Sequence, residues 1–233
     1  MIRHGQAGLR HDYDTLSDLG RSQARLLGEY LASQQVRLTA AYSGALKRQR
    51  VTASEVLSAM TAAGIQTPEL EIDEHWSEFD LDAVYQSIAP RLAEDDADFR
   101  TEHEKLRRML QEEDSPVHRT WTRSDTLVVR AWVEGRYEIP GESWEAFRRR
   151  VSAPLEALSR IEAGECVAIF SSATPIAVWV GMALELTGRH VLRLAGATYN
   201  TALTTMRARE GDLALFSFNG TAHLPEPHWR TFR

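Results

Sequence analysis

Two kinds of apolar spacing alternate along the first seventy residues. Short runs bounded by glycine or polar residues read as strands: Met1-Ile2 ahead of Arg3, Leu38 to Tyr42 ahead of Ser43-Gly44, and Glu69 to Ile72. Between them apolar residues recur at helical spacing, as Ala24, Leu27 and Leu31 in one segment and as Leu46, Ala53, Val56, Leu57 and Met60 in the next. Ser17 is placed to cap the first helix, which ends near Ser33, and Gly64 stops the second, predicted from Ala45 to Ala62. A βαβα start with short connections predicts a parallel sheet.

The alternation lapses between about Leu81 and Arg160, where charged residues and helix formers dominate. Leu106, Met109 and Leu110 form one apolar group there, and Trp121, Val128, Val129 and Trp132 another. Pro140 to Ser143 mark a turn, followed by a helix with Trp144, Phe147, Val151 and Leu155 on one face. Cys166-Val167-Ala168-Ile169-Phe170 is a short, wholly apolar strand of the fully buried kind. It leads into an apolar helix running to Leu186, with Thr174 as its predicted cap and Pro175 as its first residue. Tyr199 to Arg207 and Leu213 to Phe218 read as closing strands, a hairpin turning at Glu210-Gly211-Asp212. The pattern predicts an α/β fold, three layers α/β/α with a mostly parallel central sheet. A single domain over 1–233 carries a helical insertion at about 81–140, since no Gly/Ser/Pro-rich linker bounds that segment.

Composition narrows the function little. With 233 residues, 43% hydrophobic and 26% charged, the chain suits one globular domain. A net charge of −6 argues against a general nucleic-acid or membrane-surface binder. One cysteine, Cys166, excludes an internal disulfide and a cysteine metal cluster, and its apolar neighbours predict a buried thiol. No secretory h-region opens the sequence and no apolar run reaches spanning length, so a cytoplasmic protein is expected.

Candidate chemistry gathers at the predicted strand ends. In open α/β sheets the carboxyl edge is where ligands bind. Arg3-His4-Gly5 stands at the first such edge; an imidazole there can carry a phosphoryl group covalently while a guanidinium grips its oxygens. The second edge offers Ser43-Gly44-Ala45-Leu46-Lys47-Arg48, with Thr52-Ala53 following. Ser77-Glu78-Phe79-Asp80 presents a carboxylate beside an aromatic ring, a setting that suits proton donation. At Ser171 to Pro175 a helix begins directly after a strand, and its unpaired N–H groups favour an anion.

These pieces, in this order, resemble the histidine phosphatase superfamily, the phosphoglycerate-mutase-like fold, over essentially the whole chain. The RHG tripeptide is matched by Arg3-His4-Gly5, the pattern Leu-x-Arg…Thr-Ala by Leu46, Arg48, Thr52 and Ala53, and a closing Phe-Asn…His-Leu by Phe218, Asn219, His223 and Leu224. Ser77-Glu78-Phe79-Asp80 looks like the Asn-Glu-Phe-Asp motif of one bacterial branch. The resemblance implies a phosphatase acting on a small phosphorylated substrate. His4 would be the nucleophile, Arg3 and Arg48 the phosphoryl ligands and Glu78 the general acid and base. Gly5, Gln6, Ser172 and Ala173 would complete the substrate site, with no metal or organic cofactor.

The sequence departs from that family at one telling position. The usual second catalytic histidine falls on Ser172, which carries no charge, and losing one pre-organised donor costs roughly 10²–10³ in turnover. A serine at this step is usual in the branch resembled, so a working variant is expected. The alternatives are a mutase of the same fold, or a weakly active or inactive phosphate-binding regulator. His223 and His75 are the candidates to replace the missing histidine; a structural or exposed role is the expectation for each.

Overall fold

The computed structural model describes residues 1–112, 114–162, 164–209 and 212–232. In chain order its elements are β1 (Ile2–Arg3), α1 (Asp18–Ser33), β2 (Ala40–Ser43), α2 (Lys47–Ala62) and β3 (Leu70–Ile72). Then follow α3 (Leu81–Asp95), α4 (Ala97–Met109), α5 (Arg123–Val133), α6 (Trp144–Ser152) and α7 (Leu155–Leu158). The chain closes with β4 (Val167–Ser171), α8 (Ala173–Ala183), α9 (Gly188–Ala197), β5 (Leu203–Arg209) and β6 (Asp212–Gly220).

The strands form one sheet in the order β3-β2-β4-β1-β5-β6. The first four run parallel, whereas β5 pairs antiparallel with both β1 and β6, so the sheet is mixed but mostly parallel. Residues alternate across its faces. Ala168 and Phe170 of β4 turn to the side where Ala24, Leu27 and Leu31 of α1 and Ala53, Val56, Leu57 and Met60 of α2 close a core. Ile169 turns the other way and is also buried. The helix α8, apolar all round as a fully enclosed helix must be, packs on β1 and α9. This is the three-layer α/β arrangement that the alternating pattern predicts.

Contacts divide the chain into two compact units, one of Met1–Gly8, Asp12–Glu78 and Arg150–Arg233, the other of Leu9–His11 and Phe79–Arg149. The second unit is helical and built on packed aromatic rings. Phe79 lies 4.5 Å from Trp132, and Trp132 stands edge-on to Trp144 at 5.3 Å. A buried ion pair fixes Arg10 to Asp125 at 2.6 Å, and Asp125 also closes a capping box with Thr122 at the start of α5. Trp121, expected in that apolar group, is instead 55% exposed, because it lies just before α5 and its indole N–H is spent on Thr126 Oγ1.

Several local expectations change. The cap of α8 is Ser172, not Thr174, which puts Pro175 in the third helical position, still within the first turn where an N–H has no partner to lose. That helix ends at Ala183, three residues short of Leu186. Cys166 is exposed, because it precedes β4 at the sheet's amino edge and only its carbonyl is engaged, by the Thr39 N–H. Helix α9 occupies a stretch for which the apolar pattern predicts no element, and β5 begins at Leu203 after a turn through Tyr199–Ala202. Of the predicted hairpin turn, Glu210 and Gly211 lie outside the described residues.

Candidate active site

The register of the parallel strands decides what meets at the carboxyl edge. Arg3 is opposite Ser171, and Ser43 is opposite Phe170. One residue further on, the His4 N–H donates to Ser171 O at 2.9 Å and the Gly44 N–H to Phe170 O at 3.1 Å. His4, Gly44 and Ser172 therefore leave the sheet side by side. Gly5 follows because α1 passes closely: a Cβ on Gly5 would lie 2.4 Å from Gly20 O. Its N–H donates to Thr52 Oγ1, and Thr52 in turn donates to Arg48 O, which ties the His4 loop to α2. The Gln6 N–H donates to Gln23 Oε1, and the Gln6 side chain accepts from Ser17 Oγ, the cap of α1.

The His4 ring is 1% exposed, and its Nδ1 lies 2.7 Å from Gly5 O. A carbonyl only accepts, so Nδ1 carries the proton and Nε2 keeps its lone pair. Burial, and then the charges of Arg48 and Arg3, hold the His4 pKa well below the usual histidine value. The imidazole is neutral at pH 7 and presents an unprotonated nitrogen between two cations. That is the state a nucleophile toward an anionic phosphorus requires.

Both arginines are buried. Arg3 spends Nη1 on Thr198 O and Nη2 on Phe232 O, at 2.5 Å for the latter. Arg48 donates through Nη1 to Asp14 Oδ1 at 3.1 Å. The Nε–H groups of both arginines are buried without a hydrogen-bond partner, a costly arrangement that an anionic oxygen relieves. Burial lowers the Arg3 pKa; Tyr13 and Glu78 oppose that, and Arg48 adds to it. Asp14 also accepts from the N–H groups of Lys47 and Arg48, capping α2 where Leu46 has no side chain to do so.

Glu78 reaches the start of α8, where its Oε2 accepts from the Thr174 N–H at 3.1 Å. Arg150 holds the preceding turn by donating to Glu74 O and Ser77 O. Ser172 is 1% exposed, and its Oγ accepts from Gln49 Nε2 at 2.9 Å. The hydroxyl oxygen being used as acceptor, its proton remains to be donated. Gln49 also donates to Trp76 O and accepts from the Leu46 N–H, so it is locked at every polar atom. Ala173 is the first residue of α8.

The predicted residues Arg3, His4, Gly5, Gln6, Arg48, Glu78, Ser172 and Ala173 thus come together at one sheet edge. Tyr13, Asp14, Gln23 and Gln49 join them unannounced. Asp14 had a legible signal, since an apolar Leu46 at a helix start calls for a cap from elsewhere; the others had none. The two candidate substitutes, His223 and His75, are each bonded to another side chain. His223 is buried and bonded through Nε2 to Thr201 Oγ1, and His75 is exposed and paired with Asp73. Among the described residues no group of three or more His, Cys, Asp or Glu is placed to hold a metal ion.

A family model describing the histidine phosphatase superfamily, branch 1, matches residues 1–221. The chain belongs to this superfamily. Solved structures share its fold. A phosphoglycerate mutase from Bacillus anthracis is similar with a TM-score of 0.60 and 18% identity, over 95% of this chain and 92% of that chain. A mycobacterial glucosyl-3-phosphoglycerate phosphatase in complex with VO3 gives 0.59 and 21%, over 94% and 97%. A mutant phosphoserine phosphatase from Entamoeba histolytica, in complex with phosphoserine, gives 0.57 and 19%, over 96% of both chains. The mitochondrial serine/threonine-protein phosphatase Pgam5 of Caenorhabditis elegans is 40% identical over 57 residues, 24% of this chain and 20% of that protein. As a histidine phosphatase superfamily member, the chain carries its Arg-His-Gly at the carboxyl end of β1, with serine at position 172.

Proposed function

We propose that the protein is a phosphomonoesterase working through a phosphohistidine on His4. Nε2 attacks the phosphorus, and the bond from phosphorus to the leaving oxygen breaks as Glu78 gives that oxygen a proton. The Glu78 carboxylate then takes a proton from water, whose oxygen attacks the phosphohistidine. The N–P bond breaks, inorganic phosphate departs, and the lone pair returns to Nε2. Arg3 and Arg48 hold the non-bridging oxygens and the charge that builds on them.

Gly5 and Gln6 shape the substrate site, since their N–H groups are already given to Thr52 and Gln23. Ser172 offers one hydroxyl donor and Ala173 a free-ended helix start. The observation that carries the reading is the buried His4 ring, whose Nδ1 lies 2.7 Å from Gly5 O while the charges of Arg48 and Arg3 act on it. Support for a small phosphorylated substrate comes from the similar structures named for phosphoserine and for glucosyl-3-phosphoglycerate.

Hydrolysis of p-nitrophenyl phosphate, with an alkaline denaturing quench of the protein mixed with radiolabelled phosphoserine to preserve the acid-labile phosphohistidine, tests this. The wild type should turn over and trap label on His4, and His4→Ala should lose more than about a thousandfold in rate. Equal rates in the two proteins, or label on another residue, would overturn it.

A further inference from the structure

Tyr13 meets three side chains of the site at once. Its ring stands edge-on to His4, with centroids 6.3 Å apart and planes at 85°. The Arg48 guanidinium lies over the same ring, 4.7 Å from its centroid. A side-chain hydrogen bond joins Tyr13 to Arg3. The two arginines carry like charges in a buried setting and repel, as the lowering of the Arg3 pKa by Arg48 records. One tyrosine answers both: the negative face of the ring attracts one guanidinium, and the phenolic oxygen accepts from the other.

The backbone around Tyr13 is anchored on each side. The Gly8 N–H donates to Thr15 O at 2.7 Å, and Ala7 bridges to Leu16. Directly after Tyr13, Asp14 is fixed on Lys47, Arg48 and the start of α2. The ring is therefore placed by the loop and in turn places the arginines. We propose that Tyr13 is a positioning residue that holds Arg3 and Arg48 in the spacing a phosphoryl group needs. This rests on the phosphatase reading above and adds to it a residue with no counterpart in the motifs that define the site.

A residue that merely fills space would be replaced by phenylalanine without loss, and leucine would lower stability alone. Calorimetric binding of orthovanadate and of inorganic phosphate to the full chain separates the cases, with melting temperatures and the KM and kcat for p-nitrophenyl phosphate beside it. Tyr13→Leu should bind both anions about tenfold more weakly, having lost the ring under Arg48. Tyr13→Phe keeps the ring and should lose about threefold, through Arg3 alone. The losses should appear in folded protein and mainly in KM. Both variants binding like the wild type would overturn the role of Tyr13 and leave the phosphatase reading standing. Should Tyr13→Leu fail to fold, the threefold loss in Tyr13→Phe decides. A wild type that binds neither anion and hydrolyses nothing would remove the phosphatase reading and this role together.

Discussion

Ser172 caps α8 directly after β4, and its surroundings show what the hydroxyl can do. Gln49 donates to its oxygen, which leaves the hydroxyl proton available as a neutral donor. Pre-organisation of this kind lets one hydrogen bond act without reorganisation at the moment of reaction. The Gln49 amide has Trp76 O as a second acceptor, so removing the hydroxyl does not orphan it. We expect Ser172→Ala to lose about tenfold to a hundredfold in kcat, with the melting temperature within about 2 °C of wild type. Steady-state rates and thermal unfolding of the two proteins measure both halves. An unchanged kcat would mean that the hydroxyl never meets the phosphoryl group.

Helix α1 approaches the His4 loop more closely than any side chain allows, and this contact sets the loop's path. A Cβ on Gly20 would fall 2.1 Å from Gln6 O and 2.7 Å from Gln6 N. The clash is with backbone, so no side chain can yield to relieve it. Gly20→Ala should therefore push α1 and the loop apart, costing about 1–3 kcal/mol in urea unfolding and raising KM through a displaced His4. Full activity in a stable Gly20→Ala protein would show that the loop tolerates the shift.

That contact also shows what the sequence could and could not disclose. Periodicity placed α1, α2 and β4 to within about two residues, because each buries a continuous apolar face. It missed α9, whose buried residues reduce to Val191. It misplaced the cap of α8, because Ser172 and Thr174 are equally good capping types and only the strand register says where the turn begins. Arg3, His4, Arg48 and Ser172 were legible because parallel strands deliver their ends to one edge. Tyr13, Gln23 and Gln49 were not, since their roles depend on how a loop folds back, which no local pattern encodes. Cys166 shows the reverse error, an apolar neighbourhood in sequence that lies at an exposed strand entry.

Stability of the molecule as a whole should respond to acid through two histidines that fold in the neutral state. Burial lowers the pKa of His223 from 6.5 to about 4, and His4 is shifted in the same direction. Unfolded, each recovers an ordinary histidine pKa. Between the two values the unfolded chain binds a proton that the folded chain refuses, so stability falls as pH falls. For His223 the loss begins near pH 6.5, where the unfolded group titrates, and levels off below about 4, once the folded group is also protonated. Fully developed, it amounts to roughly 3 kcal/mol. Urea unfolding at intervals from pH 7.5 to 4 should show the decline in the wild type. In His223→Gln, which can keep the hydrogen bond to Thr201 Oγ1 without titrating, the decline should be shallower by that amount. Parallel curves for the two proteins would mean that His223 takes up its proton in the folded state as readily as in the unfolded one, and that burial beside Thr201 does not hold it neutral.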